Sequence, residues 1–92
     1  MQIGRRCVVS GRVQGVYYRG SAQQRARQAG IVGHASNLQD GSVEVLAFGD
    51  ERAVLEFIQW LWVGPSAAKV RDVIIEVLTL DSADWPQSFR TF

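Results

Sequence analysis

The spacing of apolar and polar residues changes along the chain, and each change marks an element. Residues Arg5 to Val13 hold Cys7, Val8 and Val9, then Val13 after Ser10-Gly11-Arg12, and read as a strand. Gln14 to Gly20 shows neither alternation nor helical period and contains two glycines, so it reads as a loop entering a helix. From Ser21 to Ala29 the period is helical, with Ala22, Ala26 and Ala29 at i, i+4 and i+7 and Gln23, Gln24, Arg25, Arg27 and Gln28 opposite. Gly30 then suits the left-handed residue that ends a helix.

Gly33 to Leu38 is a weaker strand, and Gln39-Asp40-Gly41 is a tight turn. Ser42 to Phe48 alternates, with Val43, Val45 and Ala47 on one face and Glu44, Leu46 and Phe48 on the other. Asp50 is placed to cap a second helix through Trp62, whose buried stripe is Val54, Phe57, Ile58 and Leu61. Gly64-Pro65-Ser66 stops it. Val70 to Leu80 is a strand with Val73, Ile75 and Val77 facing one way and Asp72, Ile74 and Glu76 the other. Asp81 to Ser88 is loop, and Phe89 to Phe92 a short edge strand.

This order predicts an α+β, two-layer ferredoxin-like sandwich: βαββαβ with a short additional C-terminal strand, both helices covering one face of an antiparallel sheet. Residues 1–92 form a single domain, because chains split into several cores only at about 250–300 residues.

Composition narrows the chemistry. One cysteine and one histidine leave no internal disulfide, no multi-cysteine or multi-histidine metal site, and no metal or other cofactor is expected. A formal charge of +1 does not by itself point to nucleic acid or membrane. The apolar runs near Cys7 and Trp60 are too short for a signal peptide or a bilayer span, so a soluble cytoplasmic protein is expected; a monomer is expected as a separate reading. Leu46 and Phe48, on the sheet face away from the helices, would leave an apolar patch there.

The informative stretch runs from Gly11 to Arg19, GRVQGVYYR. A loop entering a helix leaves several backbone N–H groups without intrahelical partners. Gly15 lets such groups converge, the helix dipole adds positive charge, and Arg19 supplies a planar fork for two anion oxygens. An arginine at a helix start is electrostatically misplaced unless an anion joins it. The alternative is ordinary turn glycines with a solvated arginine. A second candidate is Asn37 before the Gln39-Asp40-Gly41 turn, since a carboxamide can hold a water by donating and accepting at once. Self-capping of the turn is the competing role. His34 and Cys7 read as packing groups, Trp60 and Trp62 as core and cover, and Arg5, Arg6 and Arg12 as solvated strand-end charges.

The stretch Gly11–Arg19, together with GHASNLQDGSVE from Gly33 to Glu44, Gly64-Pro65-Ser66 and the final Phe89-Arg90, resembles the signature of the acylphosphatase family across essentially the whole chain. The resemblance implies metal-free hydrolysis of acyl phosphates to a carboxylate and inorganic phosphate. It places the phosphate cradle on Gln14, Gly15, Val16, Tyr17, Tyr18 and Arg19, the phosphate-binding arginine on Arg19, and the water-orienting asparagine on Asn37. Tyr18 stands where phenylalanine is usual, His34 where a larger aromatic is frequent, Ser36 where a basic residue is common and Gln39 where proline is frequent. None of these touches the two catalytic positions; they bear on substrate preference and stability. The partners implied are the small-molecule acyl phosphate and inorganic phosphate. The rival readings are a non-catalytic phosphate or small-molecule sensor and an RNA-binding module of similar topology. RNA readers stack bases on aromatics of the central strands, and the first strand here offers none.

Overall fold

The computed structural model describes all 92 residues. In chain order the elements are β1 (Gln2–Arg12), α1 (Tyr18–Gln28), β2 (Val32–Asn37), β3 (Val43–Asp50), α2 (Glu51–Leu61), β4 (Lys69–Leu78), a 3-10 turn (Ser82–Asp84) and β5 (Phe89–Thr91). They form one five-stranded sheet in the order β4-β1-β3-β2-β5. α1 packs over β2 and β5, and α2 over β1 and β3. This is the expected ferredoxin-like α+β sandwich.

The sheet is mixed rather than antiparallel: β5 runs parallel to β2, with Gly33 opposite Phe89 and Ala35 opposite Thr91. The cause is directional. β4 pairs antiparallel with β1, β1 with β3, and β3 with β2. A chain leaving β4 and returning along the far edge therefore runs in the same sense as β2.

The core lies between the helices and the inner strands. Val43, Val45 and Ala47 are fully buried, as their alternation requires. Register sets Cys7 and Ala35 on either side of Val45, and Val9 beside Val43, so these join the same face. α2 buries Val54, Phe57, Ile58 and Leu61 as expected. α1 begins three residues earlier than the alanine spacing predicts, because Tyr18 heads the buried stripe Tyr18, Ala22, Ala26 at i, i+4 and i+8. Gly30 takes φ 71°, the left-handed value expected after the helix.

Several side chains depart from the sequence reading. Asp50 holds the cap position of α2, but its side chain makes no capping bond. Phe48 is buried on the face away from the helices. Its ring lies over Gly4, where a Cβ would come within 2.6 Å, and packs at a tilt 5.4 Å from the ring of Trp85, which the crossing loop delivers. On β4 only Val73 is buried; Ile75 and Val77 are 45% and 68% exposed, because the helices sit over the inner strands and leave this edge uncovered. Arg6 is not a free strand-end charge. Its guanidinium bonds Glu44 and Glu76, each at 2.7 Å, and Glu44 also accepts from His34 Nε2 at 2.9 Å. The His34 bond and Arg6 hold the Glu44 carboxyl below its ordinary range. Cys7 is buried and free, and desolvation pushes its thiol up to about 11, which makes it an inert packing group.

Candidate active site

The stretch from Val13 to Gly20 turns the end of β1 into the start of α1. Gly15 has φ 76°, and Tyr17, the residue that caps α1, has φ 62°, the one positive value outside glycine. The first backbone bond of the helix runs from the Ser21 amide to the Tyr17 carbonyl at 3.1 Å. The amides of Gly15, Val16, Tyr17, Tyr18, Arg19 and Gly20 therefore have no acceptor within the chain. The first turn of α1 contains no acidic residue and its cap residue makes no side-chain bond. Left-handed and right-handed residues in succession gather such amides into a concave, positively polarised nest at the helix end.

Arg19 extends from the first turn, and its guanidinium donates to the Phe92 carbonyl at 2.6 Å. The Phe92 amide in turn donates to Ala35 at 3.0 Å. The arginine is thus tethered through the last strand to β2, the strand that ends in Asn37. Its one bond inside the chain uses a single nitrogen and leaves the remaining N–H groups of the fork free for an anion.

A cleft of ≈ 310 Å³ opens at this point, lined by Gly15, Tyr17, Arg19, Gly20, Gln23 and Thr91, with the edges of Val13 and Tyr18 beneath. The cradle residues divide by role. The Gln14 carboxamide donates to the carbonyls of Leu38 and Ser42, both at 2.9 Å, so both its hydrogens are used in bracing the loop against the β2–β3 turn. Val16 packs on the core. Tyr18 is buried, and its hydroxyl donates at 2.6 Å to the Leu61 carbonyl, one of the orphan acceptors at the end of α2. That bond is how a tyrosine fits where phenylalanine is usual, and burial raises its phenol well above the ordinary value. Gln14, Val16 and Tyr18 can accordingly meet an anion only through the main chain, whereas Tyr17 and Arg19 also present side chains.

Asn37 is the last residue of β2, exposed, and makes no side-chain bond within the chain. The turn after it caps itself by another route: Asp40 Oδ1 accepts from the Ser42 amide at 3.0 Å and from the Ser42 hydroxyl, and these bonds hold the Asp40 carboxyl below its ordinary range. Asn37 follows Ala35 on the helix-covered side of the strand, and the Gln14 brace draws its turn against the cradle. It does not line the cleft itself. His34 lies on the opposite face, bonded to Glu44 and edge-on to the Phe92 ring at 5.4 Å, and Ser36 shares that face. Neither meets the cleft.

Sequence reasoning did not find Gly20, Gln23, Thr91 or Phe92. Thr91 and Phe92 reach the site only because β5 pairs with β2, a contact across more than fifty residues that leaves no local signal. Gly20 carried none either, since the spacing places it in the loop before the helix and only the structure puts it in the first turn of α1.

The family model for acylphosphatase matches residues 5–91. An acylphosphatase from Halorhodospira halophila is 51% identical over 71 residues, 77% of each chain. One from Alkalilimnicola ehrlichii is 44% identical over 90 residues, 98% of each chain. The structure of an acylphosphatase from Coxiella burnetii superposes with a TM-score of 0.91 at 32% identity, covering 99% of this chain and 93% of that one. With the family model spanning nearly every residue and the fold and nest in agreement, the chain belongs to the acylphosphatase family.

Proposed function

We propose that this acylphosphatase hydrolyses the carboxyl–phosphate bond of acyl phosphates without a metal, holding the phosphoryl group in the 14–19 loop and orienting the attacking water with Asn37. The observation that carries the reading is the set of unpaired amides from Gly15 to Gly20 beside Arg19 at the start of α1.

The phosphoryl oxygens sit among the amides and the Arg19 fork, where the helix end and the guanidinium offset their charge. Asn37 accepts from a water through its carbonyl and presents a lone pair of that water to phosphorus. The new P–O bond forms as the bond to the acyl oxygen breaks, and its electron pair leaves on the carboxylate. The acyl phosphate dianion plus water becomes a carboxylate plus dihydrogen phosphate, with both water protons carried by the phosphate. The carboxylate's conjugate acid has a pKa of about 4, so the leaving group departs as an anion and needs no proton from the protein. Phosphoryl transfer through a loose transition state asks chiefly for positioning and charge stabilisation, which amides, one guanidinium and one carboxamide provide.

The same reading makes the chain a cytoplasmic monomer with a small-molecule substrate and no nucleic-acid partner. The outer face of the sheet supports the last of these: Arg6, Glu44, Glu76 and His34 occupy that face with ion pairs where an RNA reader would present aromatics. No helix is long and apolar enough to cross a membrane.

The test is hydrolysis of acetyl phosphate in the presence of a chelator, with Arg19→Ala alongside. Sustained turnover by the native chain and a loss of about 10²–10³ in kcat in the variant are expected, the cost of removing one oxyanion donor. Turnover abolished by the chelator, or a folded Arg19→Ala with native rates, overturns the mechanism.

A further inference from the structure

We propose that the side chain of Tyr17 is the acyl-group platform of the cleft and makes the enzyme favour acyl phosphates with a flat, aromatic acyl group over small aliphatic ones. The proposal rests on the cradle reading above and adds what the other half of the substrate meets.

Tyr17 is unusual on two counts. It is the one non-glycine residue with positive φ, a conformation that Asn, Asp or Gly would occupy at less cost. It is also 67% exposed, so core packing does not account for a large aromatic there. Turning the amides needs only the backbone conformation, so the ring itself is not required to form the nest.

The ring lies against the start of the helix. A Cβ on Gly20 would lie 2.4 Å from Cε1, 2.5 Å from Cζ and 2.9 Å from the hydroxyl of Tyr17. The phenol therefore lies against the bare first turn of α1, and a larger side chain at Gly20 would push it aside. One side of the ring is spent on Gly20 while most of its surface faces solvent at the cleft that Arg19 lines. The remaining wall, Gln23 and Thr91, is polar and uncharged. With the phosphoryl end fixed at the amides and Arg19, the acyl end projects along this rim. The one extended apolar surface it can lie against is the Tyr17 ring. A planar acyl group stacks on such a face, whereas an acetyl group is too small to cover it.

The experiment measures kcat/KM for benzoyl phosphate and acetyl phosphate in the native chain, Tyr17→Phe and Tyr17→Asn. Asparagine tolerates the left-handed conformation, so it removes the ring while allowing the backbone nest, and any damage common to both substrates cancels in their ratio. The benzoyl-to-acetyl ratio is expected to fall about tenfold in Tyr17→Asn, the scale of one aromatic contact, and to stay within about threefold of native in Tyr17→Phe. Should Tyr17→Asn fail to fold, Tyr17→Gly serves as the ringless variant with the same expectation. A ratio unchanged on loss of the ring, or lost equally in Tyr17→Phe, overturns the proposal. Competitive inhibition of the native chain by inorganic phosphate reports on the cradle separately. Its absence would sink the cradle, and an unchanged ratio with that inhibition intact would sink only the role of the ring.

Discussion

At the scale of single residues, the proposed mechanism separates groups that would touch the anion from groups that aim them. Arg19 and the unpaired amides supply positive charge, while the Gln14 carboxamide, committed to Leu38 and Ser42, sets the distance between the cradle and the β2–β3 turn. Asn37 stands where that brace brings it, with a side chain free of internal bonds. Asn37→Ala is expected to lower kcat by about 10²-fold or more, with KM and phosphate inhibition changed far less, since the role proposed for Asn37 is toward water rather than phosphate. Steady-state kinetics decide this, and a variant that loses affinity while keeping kcat would reassign Asn37 to substrate binding.

At the scale of elements, the site depends on β2. This strand ends in Asn37, pairs with β5 to hold Thr91 and Phe92, and lies under α1. Its tightest point is Gly33, at φ 147°, where a Cβ would fall 1.9 Å from the Leu46 carbonyl oxygen. Main chain is the obstacle, so no rotamer change relieves the clash. Gly33→Ala is expected to destabilise the fold by about 3 kcal/mol and lower the thermal midpoint by roughly 10 °C or more. Thermal unfolding followed by circular dichroism checks it, and an unchanged midpoint would show that β2 and β3 can part without cost. The mixed sheet belongs to this scale as well. Phe89 to Phe92 is legible as a short strand, but its partner and direction follow from where β4 ends, which no property of those four residues encodes.

At the scale of the whole molecule, the two faces of the sheet do different work. One buries the core under the helices and carries the cradle at its end; the other is tied by Arg6, Glu44, Glu76 and His34 across β4, β1, β3 and β2. Glu44 is the hub, and its carboxyl is held below the ordinary range by His34 first and Arg6 next. A depressed folded-state pKa contributes stability that is present above the unfolded value, about 4.3, and is lost as the pH falls through the folded one. Glu44→Gln is therefore expected to be less stable than the native chain near neutral pH, the gap closing as the solution is acidified below about pH 4. Unfolding midpoints measured across that range give the comparison; a gap constant with pH would mean the carboxylate charge contributes nothing.

The amino-acid sequence determined what depends on neighbours within one element. Alternation at Val43, Val45 and Ala47, the stripe from Val54 to Leu61, Gly30 after α1 and the glycine-broken run into Arg19 each follow from local period and backbone chemistry. Tertiary structure decided the rest: that Gln14 braces a turn, that Tyr18 spends its hydroxyl on Leu61, that Phe48 is covered by Trp85, and that Ile75 is not covered at all. Local pattern records which side of an element is apolar. Which partner reaches that side is set by strand order and by where the helices come to rest, and those depend on contacts between residues far apart in the chain.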